Sequence, residues 1–168
     1  MLARTSGAHP PELTVEADQR FFAEKLDAAA VIVHGRHSHE GQPNSPKRKR
    51  VIATRKITGV QADSEDRNVV LWNPAGASIE DAAARLGVHD GLIAVIGGTE
   101  IFDLFLDRYD AFWLTVAPRV KFGAGVPVFS GILQSSAEDV LRRHGLRPAD
   151  SRILDASQDV TLTKWVRS

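Results

Sequence analysis

The sequence predicts an α/β fold with a mostly parallel sheet, and three patterns carry that prediction. Short apolar runs of strand length alternate with segments of helical period from about residue 15 to residue 116, the order that parallel strands and helical crossovers require. One run, Leu92-Ile-Ala-Val-Ile96, stops at Gly97-Gly98 and restarts as a helix whose Ile101, Phe102, Leu104, Phe105 and Leu106 crowd one side. The end of the chain changes character. Arg152 to Ala156 and Val160 to Val166 read as two strands joined at Ser157-Gln-Asp159, an antiparallel edge.

Composition narrows the function classes. At 168 residues one domain is expected over the whole chain, with helices on both faces of its sheet and an irregular segment at 1–13. Lys plus Arg equal Asp plus Glu at 21 each, so no global field favours nucleic acid or an anionic membrane. Without cysteine there are no disulfides, thiolate zinc sites or cysteine nucleophile. No signal-type segment and no run of eighteen apolar residues is present, so a soluble, cytoplasmic protein is expected.

In chain order, Gly7, Pro10 and Pro11 mark the irregular start, and Thr14 can cap a helix that carries Val15, Phe21, Phe22, Leu26 and Ala29 on one face. Asp18 shares that face, three after Val15 and four before Phe22, where an unpaired carboxylate is costly. Lys25 is one candidate partner. An acid favouring the helix N-terminus and an acid that binds a ligand both explain Asp18.

Val31-Ile-Val33 is a strand that ends in the polar loop His34-Gly-Arg-His-Ser-His-Glu40. Arg36, His37 and Ser38, beside Gly35, offer donors and positive charge to phosphate oxygens. His34, His37 and His39 match no common metal spacing, and no metal is expected. Lys47-Arg-Lys-Arg50 reads as the solvated lead-in to the strand Val51-Ile-Ala-Thr54, which closes on Arg55-Lys56; a nuclear-localisation-like motif is the other reading of the four cations. Val69 to Trp72 is the next strand. Ser78-x-x-Asp81 is a capping box that opens a helix stopped by Gly87.

Gly97 and Gly98 have no Cβ, so their backbone can lie directly against a ligand, and the N–H groups of the following turn suit a phosphate. Ala111 to Val116 is a further strand, Pro118 to Gly131 a loop containing Gly123, and Ser136-x-x-Asp139 a second capping box. In a parallel sheet the ligand lies outside the carboxyl ends of the strands, where the glycine pair and the cationic loops fall.

This order of motifs resembles the dihydrofolate reductase superfamily, which also contains the pyrimidine reductase domain of riboflavin biosynthesis. The resemblance rests on Val31-Ile-Val-His-Gly-Arg-His-Ser38, Ile52-Ala-Thr-Arg55, Ile96-Gly-Gly-Thr-Glu-Ile-Phe102 and Phe112-Trp-Leu-Thr-Val116. It implies an NADPH-dependent reductase acting on a pterin or an aminopyrimidine. Cofactor contacts are implied for Gly35, Arg36, His37, Ser38, Thr54, Arg55, Gly97, Gly98, Thr99, Glu100 and Ile101, with a cis peptide linking the two glycines. Asp18 matches the family's active-site carboxylate, Phe22 its substrate-contacting phenylalanine, and Thr115 the threonine that hydrogen-bonds toward the acid; strand propensity alone also explains Thr115. Ala117-Pro-Arg-Val and Gly125-Val-Pro127 look more like the pyrimidine reductases, which are dimers, so a homodimer is implied.

One departure stands out. Both families begin with a central apolar strand ending near Asp-Gly, and Met1-Leu-Ala3 begins after that point. The expectation is an opening between Val31–Val33 and Leu92–Ile96, filled by the N-terminal segment or a partner's strand, unless the chain begins at an internal methionine of a longer protein or has rearranged its sheet. A non-catalytic nucleotide-binding or assembly protein descended from a reductase is the alternative function.

Overall fold

The computed structural model describes residues 15–38, 41–120 and 125–168. The irregular start, the Thr14 cap, His39 and Gly123 lie outside them. The chain has a mixed α/β architecture and divides into two compact units, one of residues Ala23–Ile101 and one of Phe102–Ser168 with the residues up to Phe22.

The first unit holds β1 (Val31–Gly35), β2 (Arg50–Ala53), β3 (Val60–Ala62), β4 (Val69–Trp72), α2 (Ile79–Arg85) and β5 (Ile93–Gly97) in one sheet of order β3-β4-β2-β1-β5. β1, β2, β4 and β5 are parallel, and β3 is antiparallel to β4. Continuous apolar runs suit strands covered on both faces, and Val31, Ile32, Val33, Val51, Val69 and Val70 are all buried. β3 has no such run. Val60-Gln-Ala62 is a strand because β4 offers it an edge, which no local pattern announces. The capping box at α2 forms as expected, with the Ser78 hydroxyl accepting from Asp81 N and the Asp81 carboxylate accepting from Ser78 N.

The opening expected between Val31–Val33 and Leu92–Ile96 is not there. Val31 pairs with Ile93, Ile32 with Ala94 and Val33 with Val95, so β1 and β5 are direct neighbours. Both runs are apolar and β-branched, and pairing them satisfies one backbone edge of each. The outer side of β5 has no partner strand among the described residues, and Ile93 to Ile96 are only half-buried.

The second unit is built on an antiparallel sheet of order β6-β8-β7, from β6 (Ala111–Val116), β7 (Leu146–Asp155) and β8 (Val160–Arg167). β7 begins six residues before the expected Arg152, because the long β8 offers partners that far and Pro148 is tolerated on an edge strand. Phe102, Tyr109, Phe112 and Phe129 form an aromatic core, with Phe102 and Phe112 centroids 5.6 Å apart and Tyr109 and Phe112 5.3 Å apart, both edge-to-face. Burial pushes the Tyr109 phenol far up, and its hydroxyl donates to the Phe102 carbonyl. α4 (Ala137–Arg143) carries the second capping box, from Ser136 and Asp139. The division between the units falls within two helices, α1 (Glu16–Asp27) and α3 (Thr99–Leu104).

Candidate active-site residues

The predicted nucleotide contacts gather within the first unit. β1, β2 and β5 run parallel, so Gly35, Ala53 and Gly97 end at the same edge; Gly35 pairs with Ala53, and His34 with Gly97. The loops leaving these ends carry Arg36, His37 and Ser38, then Thr54 and Arg55, then Gly98, Thr99, Glu100 and Ile101. All eleven predicted residues therefore belong to three adjacent strand ends.

Close approach explains the glycines. The Gly97–Gly98 peptide is cis, and Gly97 has φ +113°. A Cβ on Gly98 would lie 3.1 Å from the Ser38 hydroxyl, and one on Gly35 would lie 3.6 Å from Ile101 and 3.8 Å from Gly98 N. Gly98 is thus closely approached by Ser38, whereas a Cβ on Gly35 would make only ordinary van der Waals contacts. Thr54 is buried; its N–H donates to the Trp72 carbonyl at 2.8 Å, and its hydroxyl accepts from Lys56 N at 3.2 Å. Arg36 and His37 are exposed and make no hydrogen bond or ion pair among the described residues. Arg55 donates to Glu100 at 3.2 Å, and both are largely exposed (84% and 79%), so the pair is weak and can open to an incoming anion. A cradle of glycine backbone rimmed by arginines fits a dinucleotide carrying an extra phosphate.

His34 did not stand out as a structural residue in the sequence. It is buried and its Nδ1 lies 2.8 Å from the Gly35 carbonyl, within the strand end itself. No group of three metal-ligating side chains occurs among the described residues.

The second unit carries the other predicted group. Thr115 on β6 donates its hydroxyl to Asp18 Oδ1 on α1 at 2.6 Å. Asp18 is half-buried, and its Oδ2 makes no hydrogen bond among the described residues. One carboxylate oxygen is thus fixed while the other can accept from a ligand. Phe22 is half-buried in the next turn of α1.

Two aromatic residues beside this pair were assigned no role by the sequence. Phe21 meets Trp113 edge-to-face with centroids 4.8 Å apart, and the Arg152 guanidinium lies 4.8 Å over the Phe21 ring. Lys164 lies 5.5 Å over the Trp113 ring. Strand alternation was the available signal for Trp113, since it stands two before Thr115 and shares its face. Arg119 ion-pairs with Asp159 at 2.6 Å and donates to the Ser157 carbonyl, so it ties down the β7–β8 turn.

No helix among the described residues is long and apolar enough to cross a membrane. No protein-family model matches the sequence, and no curated protein matches it. Among solved structures the chain is similar to a diaminohydroxyphosphoribosylaminopyrimidine deaminase/5-amino-6-(5-phosphoribosylamino)uracil reductase from Thermotoga maritima, with 17% identity and a TM-score of 0.58. The match covers 99% of this chain and 53% of that one, so the chain spans about half the length of that bifunctional protein. At this identity the likeness is one of fold: the chain shares its mixed α/β architecture with a deaminase/reductase.

Proposed function

We propose that the protein is an NADPH-dependent reductase that passes hydride to a pterin or aminopyrimidine. The observation that carries this reading is the convergence of the Gly35–Ser38, Thr54–Arg55 and Gly97–Ile101 segments on one edge of a parallel sheet. The fold it shares with a deaminase/reductase supports it. NADPH supplies the hydride. The chain's own part is to hold the pyrophosphate on glycine backbone, to meet the 2′-phosphate with Arg36 and Arg55, and to orient the heterocycle. Asp18 accepts from the heterocycle's N–H groups through Oδ2 and assists its protonation, and Thr115 is the positioning residue that fixes Oδ1.

Purified protein is expected to oxidise NADPH with dihydrofolate or with 5-amino-6-(5-phosphoribosylamino)uracil. No oxidation with either, while NADPH still raises the melting temperature, would remove these two substrates. Arg55→Ala is expected to weaken NADPH about tenfold and NADH little, because a bidentate cation reads a phosphate that NADH lacks. An equal loss for both would show that Arg55 does not read the phosphate.

A second reading is a nucleotide-binding or assembly protein without turnover, and it draws on the outer side of β5, which has no partner strand among the described residues. It predicts a thermal shift by NADPH with no turnover in any subunit arrangement. A homodimer belongs to both readings, and sedimentation at two concentrations tests it.

A further inference from the structure

The four-cation run Lys47-Arg-Lys-Arg50 has no part in the reductase reading, and its side chains divide in the structure. Arg50 turns to Asp66, with Nη2 donating to Oδ2 at 2.9 Å. Arg48 is buried, and its Nε and Nη2 both donate to Asp27 Oδ1, at 3.0 and 2.7 Å, while Nη2 also donates to Gln42 Oε1 at 3.1 Å. Asn44 takes the other oxygen of Asp27 at 3.1 Å. Two arginines are thus neutralised internally. The side chains of Lys47 and Lys49 make no hydrogen bond or ion pair among the described residues, although the Lys47 charge is near enough to Asp27 to help lower that carboxyl.

Both lysines line a cleft of about 510 Å³ whose walls are three segments, 29–30, 47–49 and 87–90. These segments immediately precede β1, β2 and β5 or its lead-in, so the cleft opens at the amino ends of the parallel strands. The nucleotide edge is at their carboxyl ends, about 16 Å away for a five-residue strand. His89 and Asp90 complete the polar wall. The buried Arg48 network holds the 47–49 segment in place, so the lysines flank a built floor and are not two cations on a mobile loop. The cleft is a shallow, mostly polar depression that is widely open to solvent.

We infer that this cleft is a second ligand site, for a small sugar phosphate. Lys47 and Lys49 take the phosphate as point charges, with His89 as a further nitrogen donor or acceptor. Asp90 repels a second phosphate and accepts from sugar hydroxyls, so the site prefers a phosphorylated polyol to a bare polyanion. The site is independent of the reductase reading, since no residue is shared with the nucleotide edge.

The test is calorimetric titration of the whole protein with glucose 6-phosphate and with inorganic phosphate, in low salt and in the absence of NADPH. One site is expected, tighter for glucose 6-phosphate. The double variant Lys47→Ala/Lys49→Ala should weaken glucose 6-phosphate by about a hundredfold, roughly tenfold for each charge-assisted contact, while leaving its NADPH-induced thermal shift unchanged. Asp90→Asn should weaken glucose 6-phosphate and leave inorganic phosphate as tight or tighter. Several results would overturn the proposal: no saturable binding of glucose 6-phosphate, binding that survives the double lysine variant but is lost in Arg55→Ala, or equal affinity for the two probes. Single-stranded RNA that binds through the same lysines more tightly than glucose 6-phosphate would also overturn it, in favour of a nucleic-acid surface.

Discussion

The two sheets present chemistry in different ways. In the first sheet the interiors of β2, β4 and β5 are apolar and polar groups gather at the strand ends, so the proposed nucleotide contacts would come from the backbone of Gly35, Gly97 and Gly98 and from side chains one to four residues beyond a strand. In the antiparallel sheet alternation puts Trp113 and Thr115 on one face, so the proposed substrate contacts would be presented from within β6 itself. A parallel strand offers its terminus and an antiparallel strand offers its face. The first arrangement suits a phosphate met by N–H groups and arginines, and the second suits a flat ring met by a carboxylate and aromatic rings.

The largest effect expected from this contrast is on turnover. Asp18→Asn should lower kcat about a hundredfold or more, the usual scale for losing an acid-base group, while the NADPH-induced thermal shift stays at the parent value. If cofactor affinity falls as much as kcat, the division of labour between end and face is wrong. Trp113→Ala comes next, removing the ring that Phe21 packs against. For a half-buried tryptophan a stability loss of about 2 kcal/mol is expected in denaturant melts, below the range for a fully buried one. A loss below about 0.5 kcal/mol would show that the aromatic face is not packed as described.

The units also share a device, which sharpens the comparison from the other side. Ser78 and Ser136 cap α2 and α4 in the same geometry, so Ser78→Ala and Ser136→Ala should each cost about 1 kcal/mol. A melt in two phases, with each variant shifting only one of them, would mean that the two units do not unfold in one cooperative step.

The smallest effect is on acid stability. Hydrogen bonds from the Ser78 side chain hold Asp81 below its ordinary 3.8, and those from Ser136 do the same for Asp139. Hydrogen bonding to Arg48 lowers Asp27, and the Ser157 side chain lowers Asp155. A depressed folded-state value stabilises above the unfolded value, and that contribution is lost as pH falls through the folded value. Melting temperature should therefore be level near pH 6 and decline below about pH 4; Asp27→Asn and Asp155→Asn should each flatten the decline. An unchanged slope in both variants would show that these carboxylates do not drive acid unfolding.

Much of the fold was legible because its signals are local. Val69–Trp72 and Ser78 to Arg85 need only a run of β-branched residues or an Ser-x-x-Asp box, and both formed where the sequence placed them. The strand-to-helix junction at Gly97-Gly98 was legible for the same reason, although glycines between a strand and a helix are more often turn residues than ligand contacts. Asp18 and Thr115 stand 97 residues apart, and only the docking of α1 on β6 brings a hydroxyl within 2.6 Å of a carboxylate oxygen. The expected opening beside β1 failed for a related reason. Periodicity tells which residues make a strand but not which neighbour it takes, and an apolar, two-sided run such as Val31–Val33 accepts any similar partner. Likewise the four cations at 47–50 are alike in sequence, and tertiary structure alone decided that Arg48 and Arg50 meet Asp27 and Asp66 while Lys47 and Lys49 face a cleft. An ion pair needs a carboxylate from a distant segment within about 4 Å, and no spacing along the chain encodes that distance.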